Sequence, residues 1–117
     1  MIHHLSDMTT EVKHHVRDGA GSPSFRYIFT PSDLGGRADL LAAVTLQPGE
    51  SVGEHPHVGN GEVYLLLNGS AMVAEDGVEY ELHAGDAEFC ADGHTHAIRN
   101  HTAEAVTFLA LIVKDRP

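Results

Sequence analysis

Basic residues are scarce in this sequence. Seven Lys and Arg face seventeen Asp and Glu, for a formal charge of −10 with histidine neutral. Without a positive field nothing holds a phosphate backbone, which excludes nucleic acid and anionic membrane surfaces as partners. Cysteine is scarcer still. Cys90 alone cannot close an internal disulfide, and it fits an inert buried thiol in a reducing cytoplasm. Long apolar runs are missing: the stretch Phe108 to Val113 is far below the ~20 residues of a membrane span. No charged-then-apolar leader opens the chain, so no secretory signal is expected. Tryptophan is absent, and so are low-complexity tracts and linkers. Apolar residues are not in short supply, at 42% against 21% charged, which excludes disorder. A chain of 117 residues has room for one core and not two.

Histidine is the residue in excess. Ten histidines outnumber Lys and Arg together, so the surface charge should respond strongly to pH below about 6.5. The rest of the chain is punctuated by turns at Pro48-Gly49, Gly59-Asn60-Gly61, Asn68-Gly69, Asp76-Gly77, Gly85-Asp86 and Asp92-Gly93. Short runs lie between them: 62–67, 70–74, 78–82, 87–91 and 95–99. Two further strands are expected, at 25–30 with Phe25, Tyr27 and Phe29 on one face, and at 40–46. The run 105–113 is apolar on both faces and should lie centrally in a sheet. Short strands at this spacing, without a helix-length pattern, predict an all-β sandwich or barrel over 25–117. Residues 1–24 are polar and read as an N-terminal arm, with a helical turn or an edge strand. Its pairs His3-His4 and His14-His15 read as solvated.

Chemistry concentrates in four residues. His55 and His57 are two apart, so a strand would turn both to one face. Pro56 between them suggests a sheet edge or a bulge. Glu62 follows a Gly-Asn-Gly turn, and a hairpin of that shape would bring its carboxylate beside the two imidazoles. His96 lies on a later strand. Three imidazoles and one carboxylate converging in a small barrel make a first-row metal site.

The spacing resembles a known family. Gly49-(five)-His55-Pro56-His57-(four)-Glu62-(six)-Gly69 is similar to the first motif of the cupins. Gly85-(five)-Ala91-Asp92-Gly93-(two)-His96-(three)-Asn100 is similar to the second. Ala91 departs from the pattern, where proline is usual, but that position shapes a turn and is not a ligand. The resemblance implies a single-domain jelly-roll barrel and the metal ligands His55, His57, Glu62 and His96. The phrases Gly53-Glu54-His55-Pro56-His57 and Glu62-Val63-Tyr64 resemble, more narrowly, the small microbial cupins called oxalate-decarboxylase-like. The metal would be Mn, Fe, Ni, Co or Zn, and the ligand or substrate a small polar or carboxylate molecule. Function is then a metal-dependent oxygenase, decarboxylase or isomerase, or else a non-catalytic binding or sensor module. A homodimer is also implied, with the Phe25-Tyr27-Phe29 face as a contact.

Around the metal the expected pocket residues are Tyr64, Leu66, His94 and Ile98. Tyr64 and Leu66 share the Glu62 face at period two, and Ile98 shares that of His96. Tyr64 would contact substrate or a metal-bound water, or serve as a wall. His94 lines the pocket if the strand reaches it and sits on the rim if it lies in the turn. The direction of Glu88 is open. Of Arg26, Arg37 and Arg99, near the expected barrel, one could hold a carboxylate, though each alone reads as a surface residue.

Overall fold

In the computed structural model, which describes residues 1–116, the apolar run near the C-terminus becomes the middle of a sheet. The strands are β1 (Thr10–Val12), β2 (Ser24–Tyr27), β3 (Ala38–Leu46), β4 (Ser51–Pro56) and β5 (Asn60–Leu66). They continue with β6 (Ser70–Glu75), β7 (Val78–His83), β8 (Ala87–Cys90), β9 (Thr95–Arg99) and β10 (Val106–Lys114). Two antiparallel sheets result, in the orders β1-β2-β3-β10-β5-β8 and β4-β9-β6-β7. β10 lies between β3 and β5, where Phe108 stands opposite Val44 on one side and Leu66 on the other. Its inward residues Val106, Phe108 and Ala110 are buried, and its outward Leu109 and Leu111 are half-buried.

The core fills the space between the sheets. Phe108, Leu46, Leu66, Ile98, Val73 and Val106 are all essentially fully buried. Burial of each such side chain contributes roughly 1.5–3 kcal/mol, the main force holding the two sheets face to face. The motif residue Asn100 is part of this framework. It is buried, its Nδ2 donates to the Leu46 and Glu104 carbonyls, and its Oδ1 accepts from the Thr102 amide and hydroxyl. It therefore pins the loop between β9 and β10 to the end of β3. Gly93, at φ 86°, takes the left-handed conformation that the turn before β9 requires.

Three expectations are corrected here. The strand from Phe25 ends at Tyr27, because Thr30 and Asp33 exchange backbone-to-side-chain hydrogen bonds around Pro31 and start a turn. Phe29 leaves the sheet and packs on the His3 ring, 4.6 Å between centroids. Phe25 belongs to the core and Tyr27 packs against it, so this face is turned toward the chain's own barrel. Finally, β4 and β5 do not form a hairpin. They belong to different sheets, and the turn at Gly59 carries the chain from one to the other. Pro56 ends an edge strand whose register shifts between Val52 and His55, the edge and bulge that a proline tolerates.

The first 24 residues hold short helical turns at Leu5–Asp7 and Val16–Asp18 as well as the edge strand. β1 pairs with β2, placing Thr10 opposite Arg26. The chain then turns at Val16–Asp18 and reaches the other sheet, where the Ser51 amide donates to the Ala20 carbonyl at 3.0 Å. The segment thus straps the two sheets together.

Candidate metal centre

His55 and His96 are cross-strand partners on β4 and β9, and Glu62 enters from β5 on the facing sheet. His57 sits just past β4. All four side chains are buried, at 5%, 1%, 4% and 4% exposure in that order. The bulge between Val52 and His55 turns both β4-side imidazoles to the interior.

Each imidazole is held from behind through Nδ1. His55 Nδ1–H donates to the Gly53 carbonyl at 2.7 Å, and His57 Nδ1–H to Asn60 Oδ1 at 2.7 Å. His96 Nδ1–H donates to Glu88 Oε1 at 2.9 Å. A carbonyl or carboxylate oxygen can only accept, so these bonds place the proton on Nδ1 and the lone pair on Nε2 of the neutral ring. The three Nε2 lone pairs then face a common centre with a carboxylate. His96 Nε2 lies 3.0 Å from His55 Nε2 and 3.1 Å from His57 Nε2. Glu62 Oε1 lies 3.4, 3.1 and 3.0 Å from the Nε2 atoms of His55, His57 and His96.

Four electron-rich atoms this close repel one another unless a cation lies among them. Adjacent donors at about 2.1 Å from a first-row ion stand about 3.0 Å apart in an octahedron, so the spacing suits a metal. The residues His55, His57, Glu62 and His96 can hold such an ion. The outer partners Gly53, Asn60 and Glu88 set ring orientation and, for Glu88, raise the basicity of His96.

Without a metal, a proton takes the cation's place. Burial pushes His96 down, but hydrogen bonds and charge from Glu62 and Glu88 outweigh it and lift its pKa to about 9. Burial likewise pushes Glu62 up, but hydrogen bonds from His55 and His96 and the charges of His96 and His57 hold it at about 2. Tyr64 stacks on the His96 ring at 4.4 Å with planes 9° apart. Burial first, then the charges of Glu62 and Glu88, push its pKa well above 10, so the phenol keeps its proton.

The sequence of the site has relatives. The sequence profile of the cupin domain matches residues 42–112. This chain belongs to the cupin family. Over 113 residues, the cupin is 32% identical to the oxalate-binding protein of Thermotoga maritima, covering 97% of this chain and 93% of that one. It is 38% identical over 77 residues to the tetracenomycin polyketide synthase protein TcmJ of Streptomyces glaucescens, covering 66% of this chain and 52% of that one. The crystal structure of a "predicted oxalate decarboxylase" from Thermotoga maritima superposes with a TM-score of 0.93 at 32% identity, covering 97% and 99% of the two chains. The two sheets are those of the cupin jelly roll.

In this cupin a cavity of about 150 Å³ opens beside the four residues and is lined by His55, His57 and Glu62. Tyr64 lines it too. The other expected pocket residues do not. Leu66 and Ile98 are packed in the core at 1% exposure each. His94 stands on the exposed turn before β9, with Nδ1 2.6 Å from Asp76 Oδ2. That carboxylate raises its pKa, and the backbone turns away from the barrel one residue before the strand begins. Arg26, Arg37 and Arg99 stand outside the cavity as well. Arg99 pairs with Glu79 at 2.9 Å and Arg26 donates to Met8 Sδ; neither they nor Arg37 line this cavity. Its cations are Lys13 and Arg17, from the segment read as an arm. Only their rarity in an acidic chain marked them in the sequence. Asn60, three residues after His57, was open to a turn argument. Cys90 is buried, and burial, helped by the surrounding carboxylates, pushes its thiol up to about 12.

Proposed function

We propose that this cupin holds one divalent transition metal on His55, His57, Glu62 and His96 and uses it to bind a small carboxylate. The observation that supports this most is the shared orientation of the three imidazoles, all protonated on Nδ1 with Nε2 turned to Glu62. Three neutral imidazoles and one carboxylate leave a divalent centre with net charge about +1, which attracts a small anion even in an acidic protein. Four protein donors also leave positions free on an octahedral ion. The bound ion would act as a Lewis acid toward the oxygens of its ligand.

The remaining walls favour binding over proton transfer. Val16, Phe25, Val44, Val52 and Phe108 make most of the lining apolar and exclude water. Glu88 is committed to His96 from behind, with its side chain 7% exposed. Tyr64 alone carries the reading as an enzyme of decarboxylase, oxygenase or isomerase type. Its protonated phenol can donate a hydrogen bond to a ligand oxygen or to developing negative charge, but it cannot act as a base near neutral pH. Oxalate is the first ligand to try, since a full-length relative is named for binding it.

Calorimetric titration of oxalate into metal-loaded and chelator-stripped protein checks the reading. Saturable binding is expected only with metal. Equal binding by both forms, or by neither, contradicts it. Monitoring oxalate consumption in the same samples separates a binding protein from an enzyme.

A further inference from the structure

The cavity has a second, unassigned chemical feature. Of the seven Lys and Arg in this acidic chain, two line it. Arg17 is exposed at the opening and forms no ion pair among the described residues. Lys13 is half-buried, with Nζ 4.8 Å above the Phe25 ring that forms part of the same wall. Its nearest carboxylate, on the exposed Glu11, is 4.0 Å away.

Arg17 is placed with care. His15, Arg17 and Asp18 have φ of 49°, 53° and 62°, so three of the four residues 15–18 are left-handed and none is glycine. Glycine would suit that turn better, so turn chemistry does not explain an arginine here. The turn is also clamped to β4. The Ala20 amide donates to Ser51 Oγ at 2.8 Å, and the Ser22 amide to Glu50 Oε2 at 2.6 Å. A Cβ on Gly53 would stand 2.0 Å from the Arg17 carbonyl oxygen. The same Gly53 offers its own carbonyl to His55. One glycine therefore fixes a metal-side imidazole and the backbone of Arg17 together.

We infer that Arg17, assisted by Lys13, is a specificity-determining anion grip, and that the cavity takes a small molecule with an acid group at each end. One carboxylate sits at the metal centre and the other is held by the guanidinium at the opening. This rests on the metal reading above and adds the class of ligand. Arginine suits the role because its planar fork meets a carboxylate with two hydrogen bonds.

Succinate and butyrate test this, because they share a four-carbon skeleton and differ by one acid group. Metal content is measured first, then both are titrated calorimetrically into metal-loaded wild type, Arg17→Gly and Arg17→Lys. Wild type is expected to prefer succinate by about tenfold or more. Arg17→Gly should lose that preference while butyrate affinity changes by less than about twofold, and Arg17→Lys should recover part of it. The melting temperature of Arg17→Gly should be unchanged or higher, since glycine relieves the left-handed backbone. Equal affinities in metal-loaded wild type, or a preference that survives in Arg17→Gly, overturn the inference alone. A wild type that takes up no metal overturns both readings.

Discussion

His96→Ala is expected to weaken divalent-metal binding by more than about a hundredfold, since outer partners alone are worth ten to a hundredfold and this change removes a ligand. The effect extends to stability. His96 is fully buried between Glu62 and Glu88, at 3.0 and 2.9 Å. Removing it leaves two buried carboxylates facing each other without the imidazole, a class of change that costs about 3–5 kcal/mol. His57→Ala is the companion variant, because His57 bonds on its outer side only to the neutral Asn60. It should lose metal with a smaller loss of stability. Metal content after desalting, together with urea unfolding of both variants, checks this. Retained stoichiometric metal in either variant contradicts the four-ligand site.

Metal-free and metal-loaded protein are expected to show different pH dependences of stability. In the metal-free form Glu62 titrates at about 2 rather than 4.5, so its contribution is present above about pH 4.5 and is lost as pH falls through about 2. His96 titrates at about 9 rather than 6.5, so its contribution is full below about pH 6.5 and is lost as pH rises through about 9. Metal-free protein should thus be most stable near pH 5–6 and weaken on the alkaline side. The two shifts share the Glu62–His96 contact and count once, on the order of 3 kcal/mol. Metal must displace the proton of His96, so metal-loaded protein should gain stability as pH rises to about 6.5 and hold it at higher pH, where the metal-free form declines. Thermal melts across pH, with and without a chelator, measure the two curves. Parallel curves would contradict the exchange of proton for metal.

The clustering of His55, His57 and His96 was legible because their spacing is a property of the strands. His55 and His57 alternate with Pro56, and His96 falls where β9 crosses β4. The central place of β10 was legible for a similar reason: a strand covered on both faces has no polar alternation. Other features were not local. Whether β4 and β5 pair or lie in opposite sheets is decided by what covers each of them. The same turn at Gly59 serves either outcome. Leu66 and Ile98 point inward as their period requires, but the depth at which the barrel closes puts them in the core rather than the cavity. His94 depended on where β9 begins, a boundary set by the turn at Gly93. Glu88 could be assigned only once β8 was placed next to β5, which puts it opposite Tyr64. Lys13 and Arg17 are about forty residues from His55 in sequence. They reach the cavity because the strap crosses from one sheet to the other.

The most direct test is elemental analysis of the protein purified without an affinity tag or added metal. About one divalent transition-metal ion per chain is expected, lost on dialysis against chelator at about pH 5, where a proton on His96 competes with the metal. Protein that is free of metal, and stays free after incubation with Mn, Fe, Co, Ni and Zn salts near neutral pH, would contradict the metal centre.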